Sequence, residues 1–177
     1  MKVCDVIALW LVEKGITHSF GIIGGGNVVL WDAIHRLGKT ELICVHHEQA
    51  ATMAASYYFR TCGKIALALV TTGAGSSNAI TGVLAAYMDS IPLLVLSGNE
   101  AHKYMYAYTR VWGVQGYASV ESAQRYTKLA ERMLLPSSLV PGDDYLGRLD
   151  DALLTALDTP PGPVWFDIPK DIQSANI

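Results

Sequence analysis

Glu48 is the residue in this sequence best placed to do chemistry. It stands in Val45-His46-His47-Glu48-Gln49-Ala50-Ala51, between an apolar run and an alanine-rich stretch. Leu42 to Val45 reads as a short buried strand and Ala50 to Phe59 is apolar at most positions, which sets one carboxylate at a strand-to-helix junction. An unpartnered acid there is costly. Burial favours the protonated form of a carboxyl group, and a neutral acid can donate a hydrogen bond to a basic ring nitrogen and take the proton back during turnover. The competing reading is an acid in the first turn of a helix, stabilised by the macrodipole, and this segment alone favours it. Two glycine turns could join the acid, Gly24-Gly25-Gly26 and Thr72-Gly73-Ala74-Gly75. Gly73 and Gly75 let backbone approach a ligand, while Ser76, Ser77 and Asn78 offer polar groups at a helix start, where capping explains them equally well. The triple glycine lacks the spaced G-x-G-x-x-G pattern, and no acid ends the second strand at ribose-binding distance, so a dinucleotide site fits poorly.

The elements that must position these residues alternate along the chain. Helical periodicity covers Val3 to Glu13, with strands at Thr17 to Ile22 and Leu42 to Val45 flanking a helix over Val28 to Arg36. A helix over Gln49 to Arg60 follows, then a strand at Ile65 to Val70, a helix over about Ser77 to Tyr87 and a strand at Ile91 to Leu96. A polar and aromatic loop runs from Gly98 to Ser119, ahead of a short helix near Val120 to Arg125, a weaker strand at Lys128 to Met133, a helix over Asp143 to Leu157 and a last strand at Pro163 to Ile168. Continuous apolar strands alternating with helices predict a three-layer α/β/α fold with a mostly parallel six-stranded sheet. In such folds ligands bind at the carboxyl ends of the strands, where both glycine turns and Glu48 fall.

Composition excludes several classes. Hydrophobic residues make up 51% and charged residues 16% of the 177, against a usual charged share of about 25%, so part of the apolar surface is expected to meet a partner. The longest apolar runs fall well short of the roughly 18 residues a membrane span requires, and no signal peptide is legible, which points to a cytoplasmic protein. A net charge of −3 without a basic stripe argues against nucleic acid. Cys4, Cys44 and Cys62 show no metal spacing and read as small buried hydrophobes.

Five motifs in order carry a resemblance: Phe20-Gly21-Ile22-Ile23-Gly24-Gly25, His47-Glu48-Gln49-Ala50-Ala51, Thr72-Gly73-Ala74-Gly75-Ser76-Ser77-Asn78, Asp89-Ser90-Ile91-Pro92 with the strand to Gly98, and Pro161-Gly162-Pro163-Val164-Trp165-Phe166-Asp167-Ile168-Pro169-Lys170-Asp171. Over nearly its whole length the chain resembles the N-terminal pyrimidine-binding domain of thiamine diphosphate enzymes, the acetolactate synthase-like group above all. The resemblance implies one pyrimidine-binding domain over residues 1–177. It also implies that Glu48 is the glutamate bonding a ring nitrogen of the cofactor's aminopyrimidine, so activating the thiazolium carbon for attack on a 2-oxo acid such as pyruvate. Gly24, Gly25, Thr72, Gly73 and Asn78 become cofactor-side candidates, and His47 and Gln115 substrate-side ones. His47 reads equally as a structurally hydrogen-bonded histidine.

Departures from the family pattern shape the expectation. Ile23 replaces a common proline, and Gly25 stands where the decarboxylase branch has an acid, which leans toward carboligation. A Phe-Gln-Glu element of the relatives is reduced to Val114-Gln115-Gly116, and Tyr104, Tyr106, Tyr108, Trp112 and Tyr117 cluster in the same loop, which fits a subunit contact or substrate channel at least as well as a surface excursion. The Gly-Asp-Gly segment with a downstream Asn, which in the family holds the diphosphate and Mg2+, is absent from these 177 residues. The metal and diphosphate are therefore expected on a partner subunit or domain, in a dimer or tetramer. The rivals are the alpha subunit of a split decarboxylase of the sulfopyruvate or phosphonopyruvate type, and a non-catalytic scaffold subunit, against which the retention of Glu48 counts.

Overall fold

The computed structural model describes residues 1–105, 110–134 and 145–177. Helices α1 (Val3–Glu13), α2 (Val28–Leu37), α3 (Glu48–Cys62), α4 (Ala74–Met88), α5 (Ser119–Ala123), α6 (Tyr145–Leu157) and α7 (Lys170–Ser174) alternate with strands β1 (His18–Gly21), β2 (Glu41–Cys44), β3 (Leu67–Val70), β4 (Leu93–Asn99), β5 (Leu129–Arg132) and β6 (Pro163–Pro169). The strands form one sheet in the order β2-β1-β3-β4-β6-β5, and every pairing is parallel. Helices cover both faces, as the apolar runs of the inner strands require.

Alternation along the strands divides the core. Leu67, Leu69, Leu94 and Leu96 pack with Ile7, Leu11, Ile34 and Leu149 of α1, α2 and α6. Ala68, Val70, Leu93 and Val95 meet Ala55, Ala79, Val83 and Ala86 of α3 and α4. Each fully buried Leu or Ile contributes about 1.5–3 kcal/mol. The second face is built from small residues, and the helices close on one another accordingly: a Cβ on Gly82 of α4 would lie 2.0 Å from Thr52 Oγ1 of α3. That contact locks together the two helices that carry Glu48 and Asn78.

Several boundaries differ from the sequence expectation for physical reasons. β2 is not a buried strand but the sheet edge, paired on one side only, with Glu41 and Cys44 exposed. Cys62 is exposed as well, so of the three thiols only Cys4 is the buried hydrophobe expected. α4 starts at Ala74, because Gly73 rather than a serine is its N-cap; Ser76 Oγ and Ser77 Oγ instead donate back to the Gly73 and Ala74 carbonyls. β4 runs three residues past Leu96 into polar Ser97, Gly98 and Asn99, which β6 pairs through Pro169. The helix expected from Asp143 is seen from Tyr145, Asp143 lying outside the described residues. None of the described helices is long and apolar enough to cross a membrane.

Candidate functional site

Glu48 opens α3 as its first helical residue and is 8% exposed. The Asn78 side chain reaches across from α4, its Nδ2 donating to Glu48 Oε2 at 3.0 Å. No donor among the described residues bonds the other oxygen. Oε1 instead faces Gly75, whose Cβ, if present, would stand 3.3 Å from it. One carboxylate oxygen is thus anchored while the other accepts no hydrogen bond from the described residues, on a helix N-terminus whose dipole favours negative charge. His47, the preceding residue, is exposed and caps α3, its Nδ1 accepting from the Gln49 amide at 3.2 Å. The structure gives His47 the capping role of an ordinary helix start.

Thr72 and Gly73 form the floor beside the acid. Gly73 has φ +65 and ψ −117, a left-handed region closed to most side chains, and a Cβ there would meet Gln115 Oε1 at 2.7 Å and the Val114 carbonyl oxygen at 2.8 Å. Gln115 is therefore brought to the turn by direct packing. Thr72 Oγ1 donates to Asn99 Oδ1 at 2.8 Å and stands 3.3 Å from the Gln115 carbonyl.

The first glycine turn lies on the ends of β3 and β4. Gly24 abuts Thr71, and Gly26 accommodates both the Thr71 hydroxyl, which accepts from its amide at 3.1 Å, and the backbone of Gly98. Gly25 points the other way: the one heavy atom within 4 Å of its notional Cβ is Lys170 Nζ, at 3.8 Å. Lys170 is paired with Glu100 at 3.3 Å. Gly24, Gly25, Thr72, Gly73, Asn78, Glu48 and Gln115 thus all fall at or beside the carboxyl ends of β1, β2, β3 and β4.

Sequence reasoning missed a second polar cluster behind this floor. Asp167, fully buried in β6, accepts from Asn99 Nδ2, Ser119 Oγ and Arg132 Nε. Burial pushes its carboxyl up from the ordinary value, and the Arg132 guanidinium, Asn99 amide and Ser119 hydroxyl pull it back. A charged residue inside the otherwise apolar run Val164 to Ile168 was the signal for it. In the aromatic loop, Tyr104 and Trp112 meet edge to face at 5.5 Å and line a small pocket with Met105, Tyr117 and Arg132. Tyr106 and Tyr108 lie outside the described residues. Among the described residues no group of three or more His, Cys, Asp or Glu is arranged to hold a metal ion.

The family model described as thiamine pyrophosphate enzyme, N-terminal TPP binding domain, matches residues 1–122. The acetolactate synthase large subunit of Buchnera aphidicola subsp. Schizaphis graminum is 39% identical over 169 residues, and the isozyme 3 large subunit of Escherichia coli K12 is 34% identical over 168. Each alignment covers 95% of this chain but 28% of the relative's length, so the chain spans little more than a quarter of these proteins. Benzoylformate decarboxylase from Polynucleobacter necessarius shares the fold over the whole chain, with a TM-score of 0.84 at 20% identity and 32% of its own length covered. Since the matched region takes in β1 to β4, the glycine turns and Glu48, the chain belongs to the N-terminal TPP-binding domain family of thiamine pyrophosphate enzymes.

Proposed function

We propose that the chain is the pyrimidine-binding part of a thiamine diphosphate-dependent 2-oxo acid decarboxylase or carboligase of the acetolactate synthase kind, with pyruvate as donor. The observation that carries this reading is the buried Glu48 carboxyl, anchored through Oε2 by Asn78 and free at Oε1 beside Gly75. An acid held in this way fits a ring nitrogen that shares a proton with it. When bound, the cofactor supplies the electron sink that lets a 2-oxo acid lose carbon dioxide. Glu48 holds and returns the proton at Oε1, and Asn78 keeps the carboxyl in one orientation. Gly73 lets Gln115 pack close on the turn and Gly75 lets Thr71 and Glu48 do so, with Thr72, Gly24 and Gly25 at the rim of the site and Gln115 on the substrate side.

The diphosphate and Mg2+ are assigned to a partner subunit or domain, in a dimeric or tetrameric cytoplasmic enzyme. Two observations support that assignment: the short span of the relatives that this chain covers, and a nearly uncharged outer face on α3 and α4, with Tyr57, Thr81, Ala85 and Met88 exposed. The rival donor, a sulfonated or phosphonated pyruvate, would draw on Lys170 beside Gly25. Glu100 already neutralises that ammonium, which favours pyruvate.

The test is Glu48→Gln in the assembled enzyme. The amide keeps the volume and can accept from Asn78, so fold and cofactor binding are expected to persist. Proton transfer is expected to slow by about 10²- to 10⁴-fold, read as hydrogen–deuterium exchange at the thiazolium carbon. Exchange equal to wild type would reduce Glu48 to a helix-start acid and end this reading.

A further inference from the structure

Asp167 is a fully buried acid bonded from three other elements. Asn99 Nδ2 of β4 donates to both of its oxygens, at 2.9 and 3.0 Å, Ser119 Oγ at the start of α5 donates at 3.0 Å, and Arg132 Nε of β5 at 2.8 Å. The connections continue outward. With Nδ2 turned to the carboxylate, Asn99 must present Oδ1 the opposite way, where it accepts from Thr72 Oγ1 and from the Glu100 amide, each at 2.8 Å. Thr72 leads directly into Gly73, on which Gln115 packs.

Strength alone does not explain such an arrangement. Burying a carboxylate carries a desolvation penalty that well-packed apolar residues avoid, so an apolar side chain would hold β6 in the sheet at least as well. What an apolar residue cannot do is select one of the two orientations of the Asn99 amide. Reversing that amide would turn its NH2 toward the Glu100 N–H, which can only donate, and would end the bond the Thr72 hydroxyl donates to it.

We propose that Asp167 is a positioning residue: acting through Asn99, it sets the Thr72–Gly73 turn and, with it, the seat of Gln115. The inference rests on the function proposed above only in taking that turn for a ligand-binding one.

The experiment is amide hydrogen exchange on the complete protein, isolated as its gene encodes it, for wild type, Asp167→Asn and Thr72→Val. The Asn side chain puts a donor where Asn99 and Arg132 also donate, and Thr72→Val cuts the last connection while leaving Asp167 untouched. In Asp167→Asn the amides of Gly75, Ser77, Glu100 and Tyr117 are expected to exchange at least about tenfold faster, with β1 and β3 unchanged. In Thr72→Val the same acceleration is expected at Gly75, Ser77 and Tyr117 but not at Glu100. Uniform acceleration across the sheet would make Asp167 an ordinary core fastener and overturn the proposal, as would unchanged exchange at the turn. Should Asp167→Asn not fold, Thr72→Val decides by the same criteria. The cofactor enters none of these readouts, so loosened turns in a protein that fails to bind thiamine diphosphate would sink the proposed function and leave the positioning role standing.

Discussion

Asn78 and Glu48, 30 residues apart and on different helices, are joined by one 3.0 Å hydrogen bond that fixes which carboxylate oxygen is bound and which is free. The orientation of the acid therefore depends on the spacing of α3 and α4 as much as on its own rotamer.

Asn78→Leu removes the donor and leaves Glu48 Oε2 buried without a partner. An unsatisfied buried acceptor costs about 1–3 kcal/mol, so the denaturant midpoint should fall by that equivalent. Cofactor affinity in the assembled enzyme should fall with it. Unfolding curves and calorimetry would check both, and an unchanged affinity would show that Glu48 holds its orientation without Asn78.

Gly82→Ala tests the helix spacing directly. Its Cβ would enter the space of Thr52 Oγ1, 2.0 Å away, and α3 would have to move. Overpacking of this kind costs about 1–3 kcal/mol, and the displacement should also weaken cofactor binding, because residue 82 lies one turn beyond Asn78 on the same face of α4. Equilibrium unfolding in urea would read the first effect, titration with thiamine diphosphate the second.

The sheet and the glycine turns were legible in the sequence because continuous apolar runs and turn chemistry are local. Glu48 was legible as an acid at a helix start, and the resemblance supplied the role proposed for it. Its bond to Asn78 was not legible, because it forms between helices whose approach depends on Gly82, Thr52 and Ala79 jointly. The edge position of β2 was hidden for a related reason: Leu42 and Ile43 are as apolar as an inner strand, and only the strand order reveals a free side. The bond from the Gln49 amide to His47 Nδ1 is local, and the reading of His47 as a structurally hydrogen-bonded histidine allows for it.

Partner dependence is a third expectation. With the diphosphate and magnesium assigned elsewhere, this chain by itself should bind thiamine diphosphate weakly or not at all and gain tight, magnesium-dependent binding once the partner domain is supplied. Calorimetry with and without that domain is the measurement, and tight binding by the chain alone would reject a two-part site.

Acid stability provides a fourth. The Lys14 ammonium, with the Trp10 indole N–H, holds Asp150 below 3.8, and Arg36 holds Asp5 below it. For both, the folded state releases the proton more readily, so their contribution is present above 3.8 and lost as pH falls through the lower folded values. Asp167 acts oppositely: its raised value means stability declines as pH climbs from 3.8 toward that value. Asp150→Asn should flatten the acid limb below 3.8 and leave the slope above it. The effect will be modest, since Asp150 is partly exposed and screened. Thermal midpoints across that range would decide it.

Gly73 also bears on how this site can change over generations. Every single-base change in a glycine codon that alters the residue and still encodes one installs a Cβ, and at this position a Cβ meets both a disfavoured backbone and the amide of Gln115. Neither obstacle can be relieved by a second substitution alone, because replacing Gln115 would leave the backbone angle and the Val114 carbonyl in place. The turn at Gly73 thus stays closed to gradual replacement.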